Sequence, residues 1–389
     1  MNATSRHPTS ADLIARHSPA AVDGIYLHVP FCKHKCPYCD HYSLVAGPDV
    51  HEAFVRRLIG EMQATGPLVR SAPQTVYVGG GTPTELSPAL WGRVLTALRA
   101  SLDCSALREF TVETNPETTD AARLEMLVKG SVNRLSIGAQ SFSAPHLSAL
   151  GRRHSPADIR RAVELARRAG LDNLSLDLMF AMPGQTPQDR ASDLEEALVL
   201  GPEHLSCYAL TFERGTPLAA ALEAGRVAPC PERGAAVMYE RAMDRLQAAG
   251  FEHYEISNFA RPGRHCLHNM LYWTGGNWLA LGPAAWGHLD GLRWRNAPDL
   301  QAYLHSQGGA PVDEVEKLDD SRRFGEQIAV RLRVVKGVPI EWLEPRLDPT
   351  RRAAIERLCA EGLLERTPTH LRLTRRGLLL ADHVATELL

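Results

Sequence analysis

This sequence lacks any long apolar segment. Across 389 residues no window approaches the roughly 18 consecutive apolar residues that cross a bilayer, and the run at residues 378–381 is far too short. The first 23 residues are polar and lack the apolar centre of a signal peptide. We therefore expect a globular cytoplasmic protein that is neither exported nor integral to a membrane.

Cysteine is also scarce, with eight residues in the chain. Three of them, Cys32, Cys36 and Cys39, lie together in "HVPFCKHKCPYCDHYS" at residues 28–43. Because cytoplasmic thiols are kept reduced, this group predicts a metal or catalytic site before a disulfide. The other five are isolated and are interpreted as small buried hydrophobic residues: Cys104, Cys207, Cys230, Cys266 and Cys359.

Two kinds of metal site compete for the three clustered thiols. Structural zinc takes four ligands, usually in two closely spaced pairs, and the sequence has no second pair. In a cubane iron-sulfur cluster, three thiolates leave one iron open for a substrate or cofactor. The spacing therefore favours the cluster, and the chain has no Cys-x2-Cys-His motif for covalent haem attachment.

Repeated βα units predict the fold class. Helix-patterned segments separate most of six short β-branched runs, at residues 24–28, 75–79, 109–115, 134–140, 173–180 and 204–211. Right-handed crossovers between parallel strands then give an α/β fold with a complete or partial barrel, here of the (β/α)6 type. In such barrels functional groups gather where the strands end, and the motifs "GGGTPTEL", "ETNPE" and "GAQSF" lie at those positions.

The order of these motifs resembles the radical S-adenosylmethionine (SAM) superfamily, in which Cys-x3-Cys-x2-Cys follows the first strand and a glycine stretch follows the second. The phrases "YLHVPFC", "YEISNFA" and "HNMLYW" are similar to oxygen-independent coproporphyrinogen III oxidases and especially to HemW-type haem chaperones. The resemblance covers about residues 24–380. It implies a 4Fe-4S cluster on Cys32, Cys36 and Cys39, with SAM on the open iron and reductive cleavage of SAM to a 5'-deoxyadenosyl radical.

The resemblance also implies the SAM contacts, each at or just beyond a predicted strand end: Tyr26, Gly80, Gly81, Thr82, Glu113, Gln140, Arg152 and Asp177. Gly80 and Gly81 have no Cβ and would let the methionine end of SAM approach the backbone. Arg152 could pair with the methionine carboxylate, and Asp177 offers acceptors for a ribose diol. Any one of these residues alone could equally be solvated or cap a helix, so the prediction rests on the ordered set.

The "HNMLYW" phrase predicts a second ligand site. In a helix His268 and Tyr272 are four residues apart and share a face. The resemblance to haem chaperones implies a haem site with His268 as axial ligand. Its members would be His268, Asn269, Tyr272 and Trp273. A buried histidine packed beside aromatic residues explains the same pattern and stays open as the alternative.

The chain divides into four predicted units: a flexible tail over residues 1–23, the barrel over 24–230, a segment closing the barrel mouth over 231–315, and a C-terminal module over 316–389. The last boundary is placed between residues 308 and 316.

Two helical patterns followed by a small hairpin make the C-terminal module similar to a winged helix, a fold that often binds DNA. Residues 340–389 contain eight arginines, no lysine and eight acidic residues, and the whole chain has a net charge of -2. No net positive field is left to neutralise phosphates. We therefore expect the module to pack against the barrel, with no nucleic-acid partner.

Two functions fit these motifs: a haem chaperone that delivers haem to an acceptor protein, and a radical SAM enzyme acting on a tetrapyrrole or another substrate. The oxidases have a fourth cysteine two residues after the third, and His41 stands there in this chain. Haem chaperones usually have Phe there, and Trp286 replaces a His common among relatives. We predict the chaperone without coproporphyrinogen oxidase activity, and the resemblance implies a flavodoxin-like electron donor.

Overall fold

A twelve-stranded sheet organises the chain in the computed structural model, which describes residues 8–17 and 21–389. Its six central strands are parallel neighbours in chain order. Their bounds are β1 (Gly24–Val29), β2 (Thr75–Gly80), β3 (Glu109–Thr114), β4 (Arg134–Gln140), β5 (Leu174–Phe180) and β6 (His204–Ala209). Most of their side chains are buried, as expected for parallel strands covered on both faces.

Six further strands extend the sheet at both edges. They are β7 (Glu252–Glu255), β8 (Asn258–Ala260), β9 (Trp278–Leu281), β10 (Trp286–Leu289), β11 (Leu292–Asn296) and β12 (Val312–Lys317). Strand β9 runs parallel to β1, and the other added strands pair in antiparallel fashion. The order β12-β11-β10-β9-β1-β2-β3-β4-β5-β6-β8-β7 leaves two open ends. The predicted α/β fold with a partial parallel barrel is confirmed.

Helices connect the strands and cover the sheet. They are α1 (Ser10–His17), α2 (Pro48–Thr65), α3 (Pro88–Ser101), α4 (Ala121–Lys129), α5 (Ala144–Ala149), α6 (Pro156–Arg168), α7 (Pro187–Val199), α8 (Pro217–Glu223), α9 (Glu232–Ala248), α10 (Leu267–Thr274) and α11 (Leu300–His305). Among the described residues, no helix combines the length and the apolar character needed to cross a membrane.

Local sequence sets where the helices begin. Helix α6 starts with a capping box, in which the Ser155 side chain accepts the Asp158 amide and the Asp158 carboxylate accepts the Ser155 amide. Pro156 occupies the first helical turn, where a missing N–H costs nothing. Helix α7 repeats the device with Thr186 and Asp189. These caps fix where α6 and α7 begin after the loops that follow β4 and β5.

Part of the predicted flexible tail is folded. Residues 8–17 include helix α1, which buries Leu13 and Ile14 against the core. The Ser10 amide donates to the Ala310 carbonyl at 2.8 Å, which ties this helix to the segment before β12. The tail prediction is therefore wrong for these residues, because Leu13 and Ile14 form the apolar side of a short helix that packs on the core. Residues 1–7 and 18–20 lie outside the described part of the chain.

The C-terminal module combines helices with a small sheet. Its elements are α12 (Asp320–Arg331), β13 (Val338–Pro339), α13 (Ile340–Leu343), α14 (Pro349–Ala360), β14 (Leu364–Arg366), β15 (His370–Leu373), α15 (Arg375–Leu379) and α16 (Ala381–Leu388). The three strands pair in the antiparallel order β13-β15-β14. The winged-helix assignment stays a prediction. The boundary expected at 308–316 instead overlaps β12, which belongs to the large sheet.

Candidate functional site

The loop after β1 holds the three clustered cysteines against the sheet. The Cys32 amide donates to the Leu44 carbonyl at 3.0 Å, and the Leu44 amide donates to the Pro30 carbonyl at 2.8 Å. The Phe31 side chain is fully buried and contacts the ring of Phe54, with centroids 5.1 Å apart. These contacts close the loop on itself and present its thiols to one cavity.

That cavity has a volume of about 620 Å³ and runs through the barrel. The three thiols of Cys32, Cys36 and Cys39 line it, and none of the other five cysteines does. Within residues 8–17 and 21–389, no three His, Cys, Asp or Glu side chains converge closely enough to hold a single metal ion. All three cysteines therefore line one cavity, where the sequence predicts a multi-iron cluster rather than one zinc ion.

Neighbouring polar groups contact each thiol. The Arg152 guanidinium donates to the Cys36 sulfur at 3.7 Å, and the Thr82 hydroxyl donates to the Cys32 sulfur at 3.6 Å. Burial opposes ionisation of Cys39, but the hydrogen bond and charge of His41 outweigh it and lower the pKa of this thiol. The reciprocal hydrogen bond to Cys39 raises the pKa of His41. His41, the position where the oxidases have cysteine, therefore lies beside a predicted cluster ligand.

The glycine stretch after β2 packs tightly against protein atoms. Gly80 has a φ of +107°, and a Cβ there would lie 2.6 Å from the His28 ring. A Cβ on Gly81 would lie 2.6 Å from the carbonyl oxygen of Phe31. The structure therefore gives these glycines a packing role that is independent of any ligand, in addition to the predicted contact with SAM.

Seven of the eight predicted SAM residues line the same cavity: Gly80, Gly81, Thr82, Glu113, Gln140, Arg152 and Asp177. Tyr26 does not line it. Its ring is stacked behind Tyr77 at a centroid distance of 6.3 Å, and its hydroxyl lies 3.2 Å from Nδ1 of His28. Tyr77 itself lines the cavity, and the predicted contact of Tyr26 with SAM stays a prediction.

Hydrogen bonds orient the charged members of this set. The Tyr77 hydroxyl donates to Glu113 Oε1 at 2.7 Å, and the Ser136 hydroxyl donates to Asp177 at 3.0 Å. Burial raises the pKa of both carboxyl groups. Arg152 donates to the Gly138 carbonyl at 3.0 Å and to the Asn115 side chain. The polar groups are therefore pre-oriented around a cavity that a polar ligand could fill.

Helix α10 carries the "HNMLYW" phrase at the opposite end of the strands from the cysteine loop. The carboxylate of Glu109, the first residue of β3, accepts the amides of Leu267 and His268 at 2.8 and 3.1 Å. This charge-assisted cap fixes the start of the helix. The segment was predicted to close the barrel mouth, but α10 closes the amino ends of the strands. Sequence alone could not place it, because its anchor comes from a distant strand.

The structure divides the four predicted haem residues into two pairs. His268 is fully buried, with Nδ1 2.8 Å from the Thr75 hydroxyl and Nε2 2.8 Å from the Tyr272 hydroxyl. Burial lowers its pKa to about 3, so the ring is neutral and both nitrogens are engaged. Asn269 and Trp273, on the other side of the helix, line the cavity. This conformation leaves His268 no free nitrogen for an axial bond to iron.

Comparison with known proteins places this geometry in a family. Residues 26–197 match the model of the Radical SAM superfamily, and residues 319–380 match the HemN C-terminal domain. The chain is 35% identical over 377 residues to the heme chaperone HemW of Mycobacterium tuberculosis, covering 95% of this chain and 96% of that protein. The chain belongs to the HemW family. It is also 33% identical over 364 residues to HemW of Escherichia coli, covering 91% and 94%.

A solved structure confirms the fold of this HemW-family chain. Coproporphyrinogen III oxidase (HemN) from Escherichia coli, a radical SAM enzyme, superposes with a TM-score of 0.84. The match covers 97% of this chain and 92% of the other, at 21% sequence identity. At that level of sequence identity, the structural similarity shows the fold and gives no information about the substrate.

Sequence reasoning missed several cavity residues of this HemW-family chain. Tyr77, Ser136, Ser206 and Tyr208 line the cavity, and the Tyr208 hydroxyl donates to Gln140 at 2.8 Å. Ser136, Ser206 and Tyr208 each lie two residues from another cavity residue on the same strand. Because strand side chains alternate between faces, a two-residue period extended inward from each strand end would have found them. Trp286, the other departure from the relatives, lies on β10, is partly exposed and does not line the cavity.

Proposed function

We propose that this protein is a haem chaperone that binds a 4Fe-4S cluster, SAM and haem and delivers the haem to an acceptor protein. The observation that carries the proposal is 33–35% identity to heme chaperones over 92–95% of the chain. A radical SAM oxidase is the weaker alternative, because the structural likeness to HemN is supported by only 21% identity.

The cysteine loop and the strand ends form the proposed cofactor site. Cys32, Cys36 and Cys39 would hold the cluster, and the bound pair of cofactors would supply reductive cleavage of SAM. Arg152 would pair with a carboxylate, and Asp177 would accept hydrogen bonds from a ribose diol. Tyr77 keeps Glu113 oriented toward the cavity. A flavodoxin-like protein would supply the electron, in the cytoplasm.

The inner end of the same cavity forms the proposed haem site. Asn269 and Trp273 would contact the porphyrin, since both line the cavity. His268 and Tyr272 would act as positioning residues, because their mutual hydrogen bond and the Thr75 contact hold helix α10 in place. His268→Ala should therefore lower stability without shifting the Soret band of bound haem.

The test starts from anaerobically reconstituted protein. We expect haem titration to give a saturable Soret change and haem to pass to apomyoglobin, used as a probe acceptor. We expect no conversion of coproporphyrinogen III to protoporphyrinogen IX with SAM and a reductant. Protoporphyrinogen formation together with no haem binding would overturn the chaperone and favour the oxidase.

A further inference from the structure

The inner end of the cavity collects buried polar atoms that have no hydrogen-bond partner among the described residues. Glu255 Oε2, Asn258 Oδ1, Trp273 Nε1 and Arg333 Nε all belong to this group, and all four residues line the cavity. A buried polar group left unpaired is destabilising, and such groups are rare in folded proteins. Four together in one cavity indicate a place that a ligand completes. None of these residues belongs to the predicted SAM set.

Backbone hydrogen bonds hold the main chain of Arg333 at this end of the cavity. Its carbonyl accepts the Ile256 amide at 3.0 Å, and the Val335 amide donates to the Tyr254 carbonyl at 3.0 Å. Its guanidinium lies 4.5 Å from the centre of the Trp273 ring. The C-terminal module therefore brings one cation to the cavity, where the guanidinium lies over Trp273.

The nearest carboxylate does not satisfy this cation. The Arg333 nitrogen lies 3.8 Å from Glu255 Oε2, which is too long for a hydrogen bond. Glu255 is fully buried, and its burial raises the pKa of the carboxyl group, which favours the neutral form.

The unpaired donors thus point to an anion. Arg333 Nε–H and Trp273 Nε1–H face the cavity, and Arg134, fully buried on β4, also lines it with its Nε unpaired. A carboxylate has two oxygens that accept several such hydrogen bonds, and arginine binds it in a bidentate manner. Porphyrins of the haem type carry carboxylates on a flat apolar ring, and that ring would extend along Trp273.

We propose that this inner polar end of the cavity is a carboxylate subsite that takes a propionate of the porphyrin, with the unpaired donors of Trp273 and Arg333 as its contacts. Arg333 is its main contact. The inference rests on the proposed function, since it assumes that haem enters the cavity. It makes Arg333 the residue that distinguishes an acidic porphyrin from a neutral one.

The experiment compares haem with haem dimethyl ester, in which both carboxylates are masked. Titrations followed at the Soret band would give dissociation constants for the unaltered protein, Arg333→Gln, Arg333→Lys and the control Arg346→Gln. Arg346 belongs to the same module but lies over Trp342, outside the cavity. We expect the unaltered protein to bind haem at least tenfold more tightly than the ester.

Arg333→Gln should weaken haem binding about tenfold and leave ester binding unchanged, so that the preference disappears. Arg333→Lys should retain part of the preference for haem over the ester, and Arg346→Gln should retain all of it. If Arg333→Gln reduces stability, Trp273→Phe keeps the ring, removes the Nε1–H donor and should also reduce the preference.

Three outcomes would overturn the inference. Haem that binds with the same preference over the ester in Arg333→Gln would overturn the subsite while leaving the chaperone intact. A loss of SAM binding in Arg333→Gln, with the porphyrin preference unchanged, would assign this end to an amino-acid group instead. A protein that binds neither porphyrin would overturn the proposed function itself.

Discussion

Replacing Gly80 by alanine should destabilise the protein before any ligand binds. Gly80 has a φ of +107°, a conformation that side chains rarely adopt, and a Cβ would lie 2.6 Å from Cε1 of His28. The His28 ring has little room to move, because Nε2 lies 2.8 Å from the Tyr42 carbonyl and Nδ1 lies 3.2 Å from the Tyr26 hydroxyl. Alanine would therefore meet both backbone strain and steric overlap.

Two costs add up in this variant. An unfavourable backbone conformation costs about 1–3 kcal/mol, and overpacking a rigid site costs about 1–3 kcal/mol more. The expected loss in the free energy of unfolding is therefore about 2–6 kcal/mol. Gly170 supplies the matched control, because it has a φ of +91° and a Cβ there would meet nothing within 4 Å. Gly170→Ala should show the first cost alone.

Urea denaturation followed by circular dichroism would compare the two variants with the unaltered apoprotein. We expect the apparent midpoint of Gly80→Ala to fall below that of Gly170→Ala. Equal midpoints for Gly80→Ala and Gly170→Ala would refute the packing argument. The glycine stretch would then have only its predicted role in ligand binding. Gly81→Val would not separate these roles, because its Cβ would approach the Phe31 carbonyl at 2.6 Å.

Three further predictions test the site. Cys36→Ala should abolish the cluster, whereas Cys104→Ala should keep about four irons per chain; iron and sulfide analysis decides, and a cluster surviving Cys36→Ala would contradict the assignment. Asp177→Asn should weaken SAM binding roughly tenfold, about 1.4 kcal/mol, in calorimetry, and an unchanged affinity would exclude the ribose role. The free energy of unfolding should fall as pH drops from about 6.5 toward 3, because His268 becomes protonated in the unfolded chain but stays neutral in the folded protein. Urea titrations at several pH values should show a weaker pH dependence of stability for His268→Gln. The same pH dependence in both proteins would contradict this prediction.

Most of the barrel could be predicted because each strand has a recognisable apolar pattern within its own few residues. The predicted strand at residues 134–140 has the bounds of β4, and the run at 75–79 misses β2 by one residue. Buried parallel strands read as continuous apolar runs, so neighbouring turns mark their ends. The pairing of β9 with β1 could not be predicted, since Gly24 and Trp278 meet across more than half of the chain.

The candidate site likewise contains residues that could be predicted from the sequence and residues that could not. The cysteines and the residues at strand ends were predictable, because motif order and parallel strands together place them on one edge of the sheet. Glu255 and Arg333 were not predicted, because they come from β7 and from the connection after α12 and meet through backbone pairing between distant segments. The role of His268 depended on Thr75 and Tyr272 being close enough to take both ring nitrogens, which spacing alone does not reveal.

The two ends of the cavity should be separable by mutation. The cysteine loop follows the carboxyl end of β1, whereas α10 is anchored at Thr75 and Glu109, the first residues of β2 and β3. Strands of six residues rise about 20 Å at 3.3 Å per residue, so a ligand at Trp273 does not need the cluster as its support. Cys36→Ala should therefore lose the cluster and still bind haem, while Arg333→Gln should keep the cluster and bind haem weakly. Iron analysis and Soret titration on both variants would measure this, and loss of haem binding in Cys36→Ala would show that the two ends act as one site.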